Sequence, residues 1–275
     1  MAKTMIGDTF RQFKHRRRLA RARAELHARP DGGAAHGLPG RLVVSLTSYP
    51  ARFGTLGLTL ACLLRQTVRP DRIILWLADD DLQHLPAEVA SLPGVDVLTC
   101  PDFRSYNKIV PTLLLHPDAF VVTADDDVYY PHGWLAGLVA AASAGAPVAC
   151  HRAHRVVLRG AGPASYDVWQ HNMDRPEHSP MVFPTGVSGV IYAPGIFHSD
   201  VVRDDLFTTL APTSDDIWLY WMYRLNGIDA QKIGHRVRIL EWQGSQGQSL
   251  RDANTQGTGN DRALAAMIAH YGWPG

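Results

Sequence analysis

The chain has 275 residues and a formal net charge of +1, with 46% hydrophobic and 19% charged residues. That composition belongs to a globular protein with a sizeable core, and not to a disordered or collagen-like chain. The charge is uneven: residues 1–40 hold nine Lys and Arg against three acids, +6, which leaves the remainder at −5. A nucleic-acid-binding domain carries its positive charge on the folded part, so an acidic body argues against one.

In chain order, the first segment is basic. FRQFKHRRRLARARAEL (10–26) reads either as a basic helix lying on anionic lipid or as a solvated extension. PDGGAAHGLPG (30–40) reads as a linker. No run of eighteen apolar residues predicts a membrane span, and the basic start has no hydrophobic stretch after it, so a signal peptide is not expected. Cys62, Cys100 and Cys150 are far apart and lack a CxxC pairing. They read as buried small apolar residues in a reducing, cytosolic setting, and not as a zinc site or disulfide framework.

From residue 41 strands and helices alternate. Strands are predicted at 41–48, 72–78, 95–100 and 119–124, and helices at 55–67 (Thr55 as cap), 105–115 (bent or begun late at Pro111) and 132–145. The strands are too apolar for one-sided exposure. This rhythm predicts an α/β fold with a mostly parallel sheet covered on both faces. Beyond residue 146 two short strands flank His151–His154, and 160–186 is a Gly-, Pro- and Ser-rich loop region. A strand at 186–195, a helix at 214–227 capped by Ser214, strands at 228–233 and 236–241, and a helix at 260–271 complete the pattern. Trp218, Trp221 and Tyr223 fall at near-helical spacing and read as core.

Two strands end in nearly the same phrase, LADDDLQHLP (Asp79, Asp80, Asp81) and TADDDVYYP (Asp125, Asp126, Asp127). Open parallel sheets bind ligands at the carboxyl ends of their strands, so position does not separate the triplets. Mg²⁺ or Mn²⁺ takes oxygen ligands, often one or two carboxylates plus substrate phosphates. Strand alternation would aim Asp125 and Asp127 into one pocket and Asp126 away from it. The first triplet also reads as a polar turn capping a short helix. The second precedes Val128, Tyr129 and Tyr130, and burying carboxylates there without a counter-charge is costly. The second is therefore favoured as the metal site.

The stretches VVSLTSYPARF, PDRIILWLA, SYNKIVPTLLLHPDAFVVTADDDVYYPHGWL, PTGVSGVIYAPG and SDDIWLYW, in that order, resemble GT-A glycosyltransferases. The similarity is to bacterial enzymes near glycosyltransferase family 2 that build surface polysaccharides. The resemblance implies a GT-A, Rossmann-like, mostly parallel sheet flanked by helices with a small antiparallel acceptor-side portion. It divides the chain into an extension and linker (1–40) and a GT-A domain (41–275), with a donor half to about 145 and an acceptor half from about 146. It implies an inverting, metal-dependent transfer of sugar from a UDP- or GDP-sugar to a hydroxyl of a glycan or glycolipid, in the cytoplasm or on the inner face of the cell membrane. The family's metal-binding DxD precedes VYYP, so the resemblance implies Asp127 as direct ligand of Mn²⁺ or Mg²⁺ and Asp125 as its partner on metal or ribose. Asp126 is placed with the donor group.

The resemblance also places an acidic base at the start of a helix. Asp216 matches it, with Asp215 as alternative; from the helix alone both acids read as ordinary first-turn residues. Thr47, Ser48, Tyr49 and Arg52 would meet the nucleotide, with Arg52 either on a phosphate or on the surface. Lys108 would face donor phosphate or be a solvated helix lysine. Gly186, Ser188 and Gly189 would let an acceptor sugar approach the backbone, or mark tight strand packing. His151 and His154 stay open as site residues, and neither His235 nor His270 matches a metal-ligand context. Two other readings remain. One is a catalytically silent GT-A-like binding module. The other is a sugar-phosphate nucleotidyltransferase, disfavoured because SLTSYPARFG lacks a glycine cluster.

Overall fold

Alternate residues along the central strands feed two cores on opposite faces of one sheet. Leu42, Val44 and Leu46 join Leu56, Leu60, Leu135 and Leu138 in one core. Val43 faces the other side with Ile74 and Trp76, where Val121, Val148 and Val190 continue into a second large core. Period-two burial on both faces is what near-continuous apolar strands dictate. The protein, seen in a computed structural model, is described over residues 2–244 and 259–275.

The main sheet has eight strands, in the order Glu177–Ser179, Ala230–Lys232, Val148–Cys150, Val190–Tyr192, Phe120–Thr123, Leu42–Thr47, Arg72–Ala78 and Asp96–Cys100. The last four run parallel to one another. The strand 190–192 is inserted antiparallel between 120–123 and 148–150, and 177–179 is an antiparallel edge on 230–232. The fold is thus α/β with a mostly parallel mixed sheet, as the sequence predicts, and its antiparallel portion lies on the C-terminal side. Buried polar groups inside the sheet are paired: Ser45 bonds Thr112 at 2.7 Å and the Trp76 indole donates to the same hydroxyl at 2.7 Å.

Helices Phe53–Leu64 and Trp134–Ser143 cover one face, and Asp215–Arg224 with Gly259–Tyr271 cover the other. The helix 215–224 is apolar nearly all round: Trp218, Trp221 and Tyr223 are at most 1% exposed, as a helix sunk in the core requires. Its indoles donate to the Val201 and Gly272 carbonyls at 3.0 Å each. The start of that helix, with Asp215 and Asp216, is thereby fixed. Ser214 occupies the cap position and its carbonyl accepts the Ile217 and Trp218 amides, but its side chain does not cap the helix; the hydroxyl donates to Asn260 of the C-terminal helix at 2.8 Å instead. Cys62, Cys100 and Cys150 are free and buried.

Several local expectations change. Thr55 lies inside the second helix, which starts at Phe53 after a 3₁₀ turn over Pro50–Arg52, so it caps nothing. The first Asp triplet caps nothing either: it forms a 3₁₀ turn, Asp79–His84, and Pro86 begins the next helix without a side-chain cap. Residues 236–241 are not a strand. Their backbone instead folds over the second triplet, with the Tyr129 amide donating to Leu240 and the Trp242 amide to Asp127, both at 2.9 Å.

The basic N-terminal segment is a helix, Ala2–Ala28, and its second half packs on the body. Leu19, Ala22 and Leu26 enter the first core, as apolar residues three, four and seven apart do on one helix face. Arg29 follows with its side chain 1% exposed. It bonds Glu25 at 2.8–2.9 Å, the Tyr129 hydroxyl at 3.0 Å and the Tyr130 carbonyl at 2.8 Å. Within the 30–40 stretch, Ala34–Ala35 pairs in parallel with Val68–Arg69. Among the described residues no helix is long and apolar enough to cross a membrane.

Candidate active site

Both Asp triplets end strands at the same edge of the parallel sheet, and their surroundings differ. Asp79 and Asp80 are exposed, and the cation acting on Asp81 is the nearby His84 of the same turn. Asp126 and Asp127 are 6% and 5% exposed and both pair with the Arg52 guanidinium, at 3.1 Å to Asp126 and in direct contact with Asp127. The Ser48 hydroxyl donates to the second Asp126 oxygen at 2.6 Å. The strand ends at Thr123 and residues 126–127 turn, so strand alternation does not persist through the triplet. Asp126 and Asp127 share Arg52, while Asp125 points to Lys108.

Lys108 joins elements that are distant in sequence. Its ammonium lies 3.1 Å from Asp125 and 3.1 Å from Asp215, with a side chain 9% exposed. Burial would lower its pKa, but Asp125, Asp215 and Asp216 hold it well above the ordinary lysine value. It is neither a solvated helix lysine nor free toward a phosphate. Asp216 accepts the Gly186 amide at 2.9 Å through one oxygen, and the other bonds no described residue. A Cβ on Gly186 would lie 3.0 Å from that Asp216 oxygen and 3.1 Å from the Lys108 ammonium, so glycine lets the backbone approach both.

The charges are tuned by burial. Desolvation pushes the Asp127 carboxyl up to about 7; Asp125 adds to the rise and Arg52 opposes it. Asp126 is also raised by burial, against the pull of Arg52 and Ser48. Asp216 is raised by burial and by the neighbouring Asp215 charge, against Lys108. Because the folded Asp127 titrates above an unfolded aspartate near ~3.9, its contribution to stability is full at low pH and is lost as pH rises toward about 7. In EDTA, Asp127→Asn should therefore gain melting temperature relative to the wild type as pH goes from about 5 to about 8. A difference that stays flat or shrinks by scanning calorimetry would contradict the buried-carboxyl assignment.

The other sequence candidates fall around this centre. The Thr47 hydroxyl donates to the Trp76 carbonyl at 2.9 Å. Tyr49 receives the Arg52 Nε at 3.3 Å and lies under its guanidinium, so Arg52 is not a free surface arginine. Ser188 gives its carbonyl to the Trp134 indole at 2.7 Å. Gly189 has φ +85, and a Cβ there would come within 2.4 Å of the Trp134 ring; tight packing accounts for this glycine. Gly189→Ala should cost roughly 1–3 kcal/mol in urea unfolding, and an unchanged midpoint would disprove the clash. His151 bonds the Trp134 carbonyl at 2.8 Å. His154 accepts the Asn172 amide at 3.0 Å and its ring lies tilted at 60° to that of His171; burial pushes it down to about 3. Neither histidine contacts the triplet.

Whether these residues suit a divalent cation is decided by their chemistry. Asp127 is a buried carboxylate beside Asp125, Asp126 and Glu241, and the Asp125 side chain is 25% exposed. No group of three His, Cys, Asp or Glu poised to hold a metal occurs among the described residues. A divalent cation at this triplet would draw on one or two of its carboxylates and complete its shell with substrate oxygens.

No family model and no curated protein matches the chain. Solved structures with a similar fold include 4-diphosphocytidyl-2C-methyl-D-erythritol synthase, at 14% identity and TM-score 0.46 over 83% of this chain and 100% of that one. They also include GalNAc-T7 crystallised with UDP, GalNAc and Mn²⁺, at 13% identity and TM-score 0.45 over 77% of this chain and 46% of that one. The assignment of activity rests on the site itself.

Two features of the site lay beyond the sequence reasoning. The Tyr130 hydroxyl accepts the Asp125 amide at 2.8 Å, and residues 240–242 clamp the backbone of Asp127 and Tyr129. The doubled tyrosine after the triplet hints at the first. Nothing local signals the second.

Proposed function

We propose that the protein is a metal-dependent glycosyltransferase that moves a sugar from a UDP- or GDP-sugar to a hydroxyl of a glycan or glycolipid. The observation that carries this reading is the position of Lys108. It joins the acidic triplet at one strand end to the acidic pair that starts the 215–224 helix, through contacts of 3.1 Å to Asp125 and Asp215. In this reading the triplet supplies the donor side and the 215–224 helix start the acceptor side, held next to each other by Lys108. Mn²⁺ or Mg²⁺ held by Asp127 and Asp125 would neutralise charge on the leaving nucleoside diphosphate.

The chain's own residues have separate tasks in this reading. Asp126, fixed by Ser48 and Arg52, shapes the donor side, with Thr47 and Tyr49 at the nucleotide end. Arg52 balances Asp126 and Asp127 and is the cation placed to meet a donor phosphate, while Lys108 stays with Asp125 and Asp215 and holds the two acidic groups together. Asp216 is the base. Gly186 holds one of its oxygens, the other is free of described partners, and its raised pKa suits accepting the acceptor hydroxyl's proton near neutral pH. Asp215 is the weaker alternative because Lys108 neutralises it. Attack from the Asp216 side inverts the anomeric centre. The exposed basic side chains Lys14, Arg16, Arg17, Arg18, Arg21 and Arg23 give the N-terminal helix a surface for anionic lipid.

The test is a panel of UDP- and GDP-sugars with Mn²⁺, read as release of free nucleoside diphosphate. Release from one donor is expected. Pyrophosphate release from a nucleoside triphosphate and a sugar phosphate would instead establish nucleotidyl transfer. No turnover, together with no nucleotide-dependent thermal shift, would leave only a binding module.

A further inference from the structure

A cavity of about 610 Å³ lies between the N-terminal helix, the segment after the second triplet and residues 237–240. Its body is apolar: Ala22, Val128, Tyr130, Trp134, Ile239 and Leu240 line it. Its rim is cationic, formed by Arg18, Arg21 and Arg238. All three arginines are exposed, and none pairs with a carboxylate among the described residues. The one acid at the rim, Glu25, is engaged by Arg29 and the Tyr129 hydroxyl. The local field is therefore positive at the mouth and close to neutral inside. Arg18, Arg21, Ala22 and Glu25 stand three, four and seven positions apart, one face of the helix.

Ligand pockets of about 300–1,000 Å³ combine mostly apolar walls with a few placed polar groups, and this cavity has that form. We infer that it binds a single anionic amphiphile, with the hydrocarbon chain in the Val128–Ile239–Leu240 cleft and the phosphate-class headgroup on Arg18, Arg21 and Arg238. Three guanidiniums without carboxylate partners select a phosphate, and the apolar walls select a chain over a sugar or a peptide. The charge of the helix alone provides adhesion to any anionic surface; the cavity adds a site for one molecule. Tyr130 lines the cavity with its ring and holds the Asp125 amide with its hydroxyl at 2.8 Å. Trp134 lines it and holds Ser188 at 2.7 Å. An occupant thus packs directly behind the acidic triplet and the 186–189 turn.

The test uses the full chain in EDTA, without nucleotide, so its result is independent of glycosyl transfer. The probe is 1-oleoyl-lysophosphatidate below its micelle concentration, titrated calorimetrically. Saturable one-to-one binding is expected, weaker by at least about tenfold for 1-oleoylglycerol, which lacks the phosphate, and absent for glycerol phosphate, which lacks the chain. The surface variant Arg18→Glu/Arg21→Glu/Arg238→Glu and the cavity-filling variant Ile239→Trp should each weaken it at least about tenfold. The charge-reversed variant keeps the core intact, so a folding defect in Ile239→Trp does not decide the matter. Absence of saturable binding by the wild type, or equal binding by the wild type and the charge-reversed variant, would overturn the site. Adsorption to anionic vesicles without binding of the monomeric probe would overturn it as well, and would leave helix charge as the whole effect.

Discussion

Asp127→Ala is expected to abolish metal-dependent binding of a nucleotide sugar, and Asp80→Ala to leave it intact. The two residues stand in triplets of the same letters at the ends of strands in one sheet. Asp80 lies on an exposed 3₁₀ turn, where alanine removes a solvated charge and little else. Asp127 is 5% exposed, in contact with Arg52 and backed by Trp242 through its carbonyl. Removing it deletes the carboxylate best placed for a cation and leaves Arg52 with Asp126 alone. The expected loss in affinity, by calorimetric titration of UDP- and GDP-sugars with Mn²⁺, is at least about 100-fold, roughly 2.8 kcal/mol. The opposite pattern, with Asp80 essential and Asp127 dispensable, would place the metal at the first triplet.

The second large effect is on Lys108. Lys108→Met leaves Asp125, Asp215 and Asp216 around one site without their shared cation. Breaking a buried ion pair by removing one partner costs about 3–5 kcal/mol because the other charge stays buried, and here two paired carboxylates lose the same ammonium. Urea unfolding near neutral pH should show a loss of that size. The sign with pH follows from the carboxyls. Burial already raises Asp216 against the pull of Lys108; without the ammonium it rises further, so the folded state holds a proton that the unfolded state has released, and the variant recovers stability as pH falls. The gap to the wild type should narrow at about pH 5 and widen at about pH 8. A pH-independent loss would mean that Lys108 acts by packing its methylenes alone.

The sheet was legible in the sequence because its strands are short apolar runs bounded by turn residues. RLVVSLTS, RIILWLA and AFVVTA carry that signal without help from tertiary contacts. The burial of the second triplet was legible for a similar reason: VYY after it implied burial beside the carboxylates, and Asp126 and Asp127 are buried. What could not be read was the partnering. Lys108 sits in SYNK like many helix lysines, and only the approach of Asp215 from over one hundred positions away makes it an internal counter-ion. Arg29 looked like one more charge in a basic tail, yet it is buried between Glu25 and the Tyr130 carbonyl. Gly186 and Gly189 looked equivalent; the first admits Lys108 and Asp216, and the second admits the Trp134 ring. The segment RVRIL has strand composition, but its neighbours place it over the triplet, where it bonds Tyr129 and not a sheet edge. In each case side-chain environment, which local pattern does not encode, set the outcome.

The most direct measurement is Mn²⁺ affinity with and without a nucleoside diphosphate, by calorimetry or proton relaxation on the wild-type chain. No three-ligand protein cluster is preformed among the described residues, and Arg52 and Lys108 already neutralise the carboxylates. The account therefore predicts weak Mn²⁺ binding alone and binding at least about tenfold tighter in the presence of UDP or GDP, with the same enhancement of nucleotide affinity by Mn²⁺. Independent binding of metal and nucleotide, or no effect of Asp127→Ala on either, would contradict it.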